Sequence, residues 1–234
     1  MKGDSRFYGK QDPGETATYG IIEAAHYLSI PFATLRSWVV GRRYPTVSER
    51  KFFKPLLVLP DKDQPLLSFT NLVEAHVLNA IRKKHNVALL KVRTAIDYLS
   101  REMNSKHPLA DEKLKTDNID LFVERFGKLI NLSANGQLAI REVLEDHLRR
   151  IEHDSTGLAV RLYPFTRANG TNDPKVIVID PHISFGKPVL TGTGIPTAIV
   201  TERYKAGESV DELASDYGLS RLQIEEALRY EIAA

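Results

Sequence analysis

The sequence predicts a mainly α-helical chain with small β-hairpins, an α+β fold. Apolar residues recur at helical spacing along most of the 234 residues, whereas the β-like runs are short and bounded by turn residues. Helix-turn-helix patterns lie near both ends and suggest separate units. We expect a flexible tail at 1–18, a winged helix-turn-helix at 19–65, a helical and β middle region at 66–165, a linker at 166–175, and a C-terminal β-hairpin plus three-helix helix-turn-helix domain at 176–234.

The first helix-turn-helix pattern occupies residues 19–40. Helical spacing predicts helices over 22–28 and 32–40, with Ser29-Ile30-Pro31 as the turn and Pro31 opening the second helix. The second helix of such a motif enters the major groove of DNA. The residues expected to pack the two helices together are Leu28, Ile30, Leu35, Trp38 and Val39.

The segment that follows is basic and predicts a β-hairpin wing over 42–59. Six arginines and lysines between positions 36 and 54 stand against a single acid, Glu49. Such a patch suits a polyanion, and the wing would grip phosphates. The exposed face of the second helix also carries Phe32 and Ala33. The candidate DNA-binding residues are Thr34, Arg36, Ser37, Arg42, Arg43, Arg50, Lys51 and Lys54.

The middle region begins with predicted helices at 70–84 and 87–103. The second helix spaces five apolar residues alternately by three and four, which is typical of a seam for one partner helix. One interpretation is the axis of a homodimer, and the other is packing on the first helix within one chain. The seam residues are Leu89, Val92, Ile96, Leu99 and Met103. Beyond them we expect a hairpin at 121–132, a helix at 137–153 and a strand at 158–165.

The C-terminal unit follows a polar stretch at 166–174 that reads as a linker. A strand at 176–179 and a glycine-bent hairpin at 183–195 precede three helices at 197–205, 209–217 and 220–230. Ser209 with Glu212 and Ser220 with Gln223 form capping-box patterns, and Gly218 ends the middle helix.

The charge of this second helix-turn-helix is acidic, with four cations against eight acids from position 195 to 234. Phosphate should be repelled by it, so we expect a protein partner. The alternative is a solvated surface or a second dimer contact. The candidate protein-contact residues are Glu208, Asp211, Glu212, Glu225 and Glu226.

The sequence offers no pattern for an enzyme, a cofactor or a metal site. Cysteine is absent, which excludes disulfides and thiolate chemistry. Lys187 precedes Gly192-Thr193-Gly194, the reverse of a phosphate-binding loop, and the histidines are scattered. No apolar run approaches the ~20 residues of a membrane span. We therefore expect a cytoplasmic protein without a membrane partner.

Two motifs carry a family resemblance. Residues 19–39 resemble the MerR-type winged helix. The run 183–196 contains Gly-Lys-Pro-Val, Gly-Thr and Ile-Pro elements in close order. Together with 206–209 and 227–231, this run is similar to a small bacterial domain, formerly of unknown function, that is found in VapB-like antitoxins. Short members commonly have arginines around the Gly-Thr pair, where this chain has Thr191 and Gly194, so any role of those arginines does not carry over.

The resemblance implies a type II antitoxin that neutralises a PIN-type ribonuclease and binds operator DNA to repress its own operon. The residues themselves indicate DNA binding at one end and protein binding at the other, without identifying a toxin. Two alternatives stay open. One is a stand-alone regulator whose region 103–165 senses a small molecule, and the other is a nucleic-acid-processing enzyme targeted by its winged helix.

Overall fold

The computed structural model describes residues 12–45, 50–83, 89–167 and 173–232. The predicted α+β class is confirmed: helices dominate, and the described strands form four two-stranded antiparallel sheets. The N-terminal elements, in chain order, are β1 Tyr19–Gly20, α1 Ile21–Tyr27, α2 Phe32–Val40, β2 Arg42–Pro45, β3 Arg50–Phe53 and β4 Leu66–Leu67. Strands β2 and β3 form the expected wing, while β1 pairs with β4 beneath the helices.

Buried side chains fix the two helices and the wing as one unit. All five residues expected between α1 and α2 are buried, and Leu35 and Trp38 are fully so. The carbonyl of Trp38 accepts hydrogen bonds from the backbone N–H groups of Leu56 (2.7 Å) and Leu57 (3.1 Å), which ties the chain after the wing to α2. Gly41 joins α2 to the wing at φ +76°, where an added Cβ would lie 2.3 Å from the Phe53 carbonyl oxygen. Only glycine allows that junction.

Residues 12–18 do not form part of a loose tail. A short 3-10 turn at Pro13–Glu15 is capped by Asp12, and the Thr70 hydroxyl donates to the Gly14 carbonyl at 3.2 Å. The Thr18 N–H donates to the Leu67 carbonyl at 2.9 Å. These contacts hold the segment against the fold, whereas residues 1–11 of the predicted tail lie outside the described residues.

The middle region is a helical layer with one small sheet. Its elements are α3 Phe69–Lys83, α4 Leu89–Glu102, α5 Glu112–Thr116, α6 Ile119–Ile130, α7 Ala134–Leu148, β5 Ile151–His153 and β6 Ala159–Leu162. Helix α3 is central and packs on α7, while α4 and α7 both pack on α6. The predicted helix at 137–153 begins at Ala134 and ends at Leu148, because Ile151–His153 pairs with β6.

The hairpin predicted at 121–132 is wrong, since those residues belong mainly to α6. Ile119, Phe122, Val123 and Phe126 follow a three-to-four spacing and are all buried. The rings of Phe122 and Phe126 stack with centroids 5.4 Å apart. A face of this kind is formed by a helix, and a strand would send alternate residues of the run to solvent.

The apolar stripe of α4 belongs to the interior of one chain. Val92 and Leu99 have no exposed surface, Leu89 and Met103 are buried, and Ile96 is partly buried. Helix α6 covers this face. The expectation of a dimer seam here is therefore wrong, and the intrachain alternative holds with α6, rather than the preceding helix, as the main partner.

The C-terminal unit contains β7 Ile177–Val178, β8 Val189–Leu190, α8 Thr197–Lys205, α9 Val210–Tyr217 and α10 Arg221–Ile232. The predicted caps are present: Ser209 and Glu212 form a capping box, Ser220 and Gln223 exchange the same bonds, and Gly218 ends α9 in the left-handed region. The chain turns at Gly192, φ +79°, so that the Leu190 N–H reaches the Ile195 carbonyl at 3.0 Å.

The predicted linker at 166–175 is fixed at both described ends. Arg150 donates to the carbonyls of Tyr163 (2.7 Å), Pro164 (2.9 Å) and Asp173 (2.6 Å). The Asp173 carboxylate in turn accepts from the Thr166 N–H at 2.7 Å. Residues 168–172 lie outside the described residues. A freely moving tether is thus the wrong description, because a buried polar clamp joins its two ends.

The C-terminal unit also docks on the first helix-turn-helix. The Tyr230 hydroxyl donates to the Tyr27 carbonyl at 2.9 Å, and His26 Nε2 lies 3.0 Å from a carboxylate oxygen of Glu231. The hydroxyl of Tyr19 donates to the Gly186 carbonyl at 3.2 Å. The two ends of the chain therefore form a continuous structure.

Candidate nucleic-acid and protein interfaces

Helix α2 presents a mixed apolar and basic face to solvent. Phe32, Ala33 and Arg36 are exposed and Thr34 is partly exposed, as expected for groove contacts. Ser37 is a correction: it is only 7% exposed, and its hydroxyl donates to the Thr34 carbonyl at 2.7 Å. That hydroxyl is satisfied within the helix, so Ser37 leaves the set of candidate contacts.

The wing adds the larger share of positive charge. Arg42, Arg43, Lys51 and Lys54 are exposed, and so are the wing aromatics Tyr44 and Phe52. Arg50 begins β3, but its side chain lies outside the described part. Within the described residues, the side chains of Arg36, Arg42, Arg43 and Lys54 form no ion pair with the chain's own acids. Their charge is available to a polyanion.

Two arginines from outside the motif support this basic surface. Arg82 of α3 lies over the Trp38 ring at 5.8 Å, and its pKa is lowered by burial and by the positive charge of Arg42. Arg93 of α4 lies over the Phe53 ring at 4.9 Å and donates to the carbonyls of Lys54 and Pro55. The sequence shows an excess of cations over positions 82–106, part of which could extend a nucleic-acid surface, but it does not indicate that Arg82 and Arg93 contact the winged helix.

Glu226 is the clearest correction among the acids expected on the C-terminal surface. It is 0% exposed, and its carboxylate accepts from Thr166, Arg167 and Arg229. Burial acts to raise its pKa, yet the hydrogen bonds from those three partners outweigh burial and lower it. Glu226 is thus a structural anion that joins α10 to the clamped segment.

The other four acids are at least partly exposed but already have partners in the chain. Glu208 pairs with Arg203, and Glu212 closes the cap of α9. Asp211 (2.6 Å) and Glu225 (2.8 Å) both bind Arg221. A partner that relied on these acids would have to compete with the arginines. The acidic excess of the sequence therefore overstates the charge that this face offers.

The described residues contain no group of three or more histidine, aspartate or glutamate side chains placed to hold a metal ion. Across the same ranges, no helix is long and apolar enough to cross a membrane.

A helix-turn-helix followed by a basic two-stranded wing defines a DNA-binding module of the winged type. Residues 17–96 match the family model described as "Putative DNA-binding HTH domain", and residues 177–230 match "Protein of unknown function (DUF433)". The second match lies within the expected C-terminal unit, whereas the first runs past the wing and α3 into α4.

Similar proteins extend over nearly the whole chain. "Putative antitoxin VapB45" of Mycobacterium tuberculosis (strain ATCC 25618 / H37Rv) is 30% identical over 228 residues, covering 90% of this chain and 92% of the relative. "Uncharacterized protein Rv2308" of the same organism is 28% identical over 225 residues, covering 91% and 89%. The crystal structure of Rv2018 from Mycobacterium tuberculosis superposes with a TM-score of 0.65 at 25% identity, covering 92% of this chain and 98% of that one. The chain belongs to the family of VapB45, and the resemblance to VapB-like antitoxins is confirmed.

Proposed function

We propose that this protein is an antitoxin of a type II toxin-antitoxin system. As a homodimer it binds operator DNA through α2 and the wing, represses its own operon, and neutralises a PIN-type ribonuclease through its C-terminal unit. The observation that carries the proposal is the group of exposed cations Arg36, Arg42, Arg43 and Lys54, which form no ion pair within the described part of the chain and lie on a winged helix with a buried core. The antitoxin name of the relative supports the protein-binding half.

The DNA-binding half is tested by replacing three cations together. Alanine at Arg36, Arg42 and Arg43 should remove about three phosphate or base contacts and flatten the salt dependence of log K by about two to three units. The measurement is operator affinity by fluorescence anisotropy over a series of salt concentrations.

A matched control removes the same charge elsewhere. Lys113, Lys115 and Lys205 are exposed and lie outside the winged helix. Their triple alanine variant should leave the salt slope within about half a unit of the wild type. Equal slopes for the two variants would contradict the assignment of DNA binding to α2 and the wing.

The toxin-binding half is tested with the product of the gene next to this one. Co-expression should yield a complex in which the ribonuclease is inactive, and adding excess toxin should restore RNA cleavage. A neighbouring protein that neither co-purifies nor loses activity would contradict this half without affecting the DNA-binding result.

The homodimer follows from how winged-helix proteins read palindromic sites, where two copies contact two half-sites. The α4 stripe is unavailable, so the proposed dimer contact lies on another surface. Light scattering of the full chain, free and with operator DNA, tests the stoichiometry. One chain per palindrome would refute the dimer.

A second candidate function, a ligand-sensing regulator, has one observation in its favour. A cavity of about 220 Å³ lies between the helix-turn-helix, the middle region and α10, and its lining includes Ser29, His147, Phe165 and Arg229. A small molecule there would contact all three units. Operator affinity that responds to metabolite extracts, together with a neighbouring gene product that this chain does not bind, would favour this function over the antitoxin.

A further inference from the structure

The loop before β8 holds an aromatic side chain in a backbone conformation that phenylalanine rarely adopts. Ser184, Phe185 and Gly186 have φ angles of +49°, +57° and +75°, three left-handed residues in succession. Only glycine adopts this region without steric cost. Phe185 is also 74% exposed, so no packing of its ring accounts for its presence there.

The neighbours of Phe185 impose this conformation. The Gly186 carbonyl accepts a hydrogen bond from the Tyr19 hydroxyl at 3.2 Å. An added Cβ on Gly186 would lie 2.0 Å from the hydroxyl oxygen of Tyr19. The Ser184 hydroxyl donates to the Gly194 carbonyl at 3.1 Å. Backbone bonds from Gly186 N–H to the Ile183 carbonyl (2.9 Å) and from Lys187 N–H to the Ser184 carbonyl (3.2 Å) close the turn. The loop is thus fixed on both sides while its aromatic ring projects into water.

Strain of this kind is kept at functional sites when the surrounding structure enforces it. A rigid exposed aromatic ring binds a protein pocket at a low cost in conformational entropy, and such residues commonly dominate protein interfaces. The loop also displays the exposed side chains of His182 and Lys187. His182 Nδ1 lies 3.2 Å from a carboxylate oxygen of Asp180, so Lys187 supplies the positive charge at the rim of the site.

We propose that Phe185 is the anchor by which the C-terminal unit binds its toxin. The inference rests on the proposed function and replaces the acidic helices as the main contact, because those acids are paired within the chain. The toxin contributes an apolar pocket for the ring and a carboxylate at the pocket rim for the Lys187 ammonium group. Fixing the loop before binding removes the ordering cost that a mobile loop would carry.

The test replaces Phe185 with glycine, the residue that the backbone conformation prefers. Phe185→Gly should weaken toxin binding at least about 30-fold in isothermal titration, the loss expected for an interface hot spot. The same change should raise the thermal midpoint by about 1–3 °C, because it relieves the left-handed strain. Phe185→Ala should show the same loss of affinity without the gain in stability.

Leu222 provides the matched control. It is 49% exposed on α10, in ordinary helical backbone. Leu222→Ala should keep toxin affinity within about threefold of the wild type, as expected for a residue outside a hot spot. Operator affinity should be unchanged in all three variants.

The outcomes separate this inference from the proposed function. A wild-type chain that does not bind the co-encoded toxin overturns both. A wild-type chain that binds while Phe185→Gly binds within threefold of it overturns the anchor alone. If Phe185→Gly converts a dimer to a monomer in light scattering while toxin affinity stays, the ring belongs to a contact between two copies and the anchor assignment is wrong.

Discussion

Replacing Arg150 with methionine should destabilise the protein far more than the same change at its neighbour Arg149. The side chain of Arg150 is only 6% exposed and makes short bonds to three backbone carbonyls, while its guanidinium lies 4.8 Å over the Phe165 ring. Burial lowers its pKa, so the site accepts the charge only because these acceptors and Asp173 surround it. Methionine fills a similar volume and satisfies none of them.

The magnitude follows from the groups left behind. Removing one partner of a buried charged pair typically costs about 3–5 kcal/mol, and each carbonyl without a donor contributes about 1 kcal/mol or more to that loss. Arg149 is 63% exposed, and among the described residues its ion pairs are with Glu145 and Asp146 at the surface. Its loss should cost less than about 1 kcal/mol.

Urea unfolding followed by tryptophan fluorescence and by circular dichroism measures both variants. The chain has one tryptophan, Trp38, which is buried in the winged helix. Trp38 lies far from Arg150 in the sequence, so its fluorescence reports on a different unit. A shift of the Trp38 transition in Arg150→Met, coincident with the dichroism signal, would show that the clamp and the winged helix unfold together. Equal losses of stability in Arg149→Met and Arg150→Met would show that the buried contacts of Arg150 stabilise the fold no more than a surface ion pair does.

Two further predictions concern other contacts between segments. Burial lowers the pKa of His107, but its 3.0 Å hydrogen bond to Glu74 and the charge of that carboxylate outweigh burial and raise it. His107 therefore contributes its full stabilisation below the unfolded pKa of about 6.5, and this stabilisation is lost as the pH rises through the folded pKa. The thermal midpoints of the wild type and His107→Gln should accordingly differ more at pH 5.5 than at pH 8.5. Gly186→Ala should lower the free energy of unfolding by more than about 1 kcal/mol, because it places a side chain at φ +75° and against Tyr19. Gly194→Ala, where the added Cβ meets open space, should change the free energy of unfolding little. Thermal unfolding measures both variants.

Local sequence signals predicted the parts of the fold that local chemistry determines. The turn at Ser29-Ile30-Pro31, the capping box at Ser209 and the stop at Gly218 depend on residues a few positions apart, and all are present. Helix α6 was missed because its short apolar runs fit a strand as well as a helix. Only its packing against α4 and α7 decides between them.

Long-range pairing accounts for the site residues that the sequence could not place. No residue close to Glu226 in the sequence indicates that its carboxylate pairs with Arg167, which lies 59 positions earlier. The polar run after Phe165 reads as a linker because the arginine that clamps it comes earlier in the chain. The left-handed loop at Phe185 could not be predicted either, because phenylalanine rarely adopts the backbone conformation that the contacts of Tyr19 and Ser184 impose.

We propose that the two ends of the chain bind different partners, DNA at the winged helix and the toxin at the C-terminal unit. Photo-crosslinking of the complete complex of this chain, its toxin and operator DNA tests that claim most directly, with a benzophenone side chain placed in turn at Arg36 and at Phe185. We expect position 36 to crosslink to DNA and position 185 to crosslink to the toxin. Crosslinks from position 36 to the toxin, or from position 185 to DNA, would contradict it.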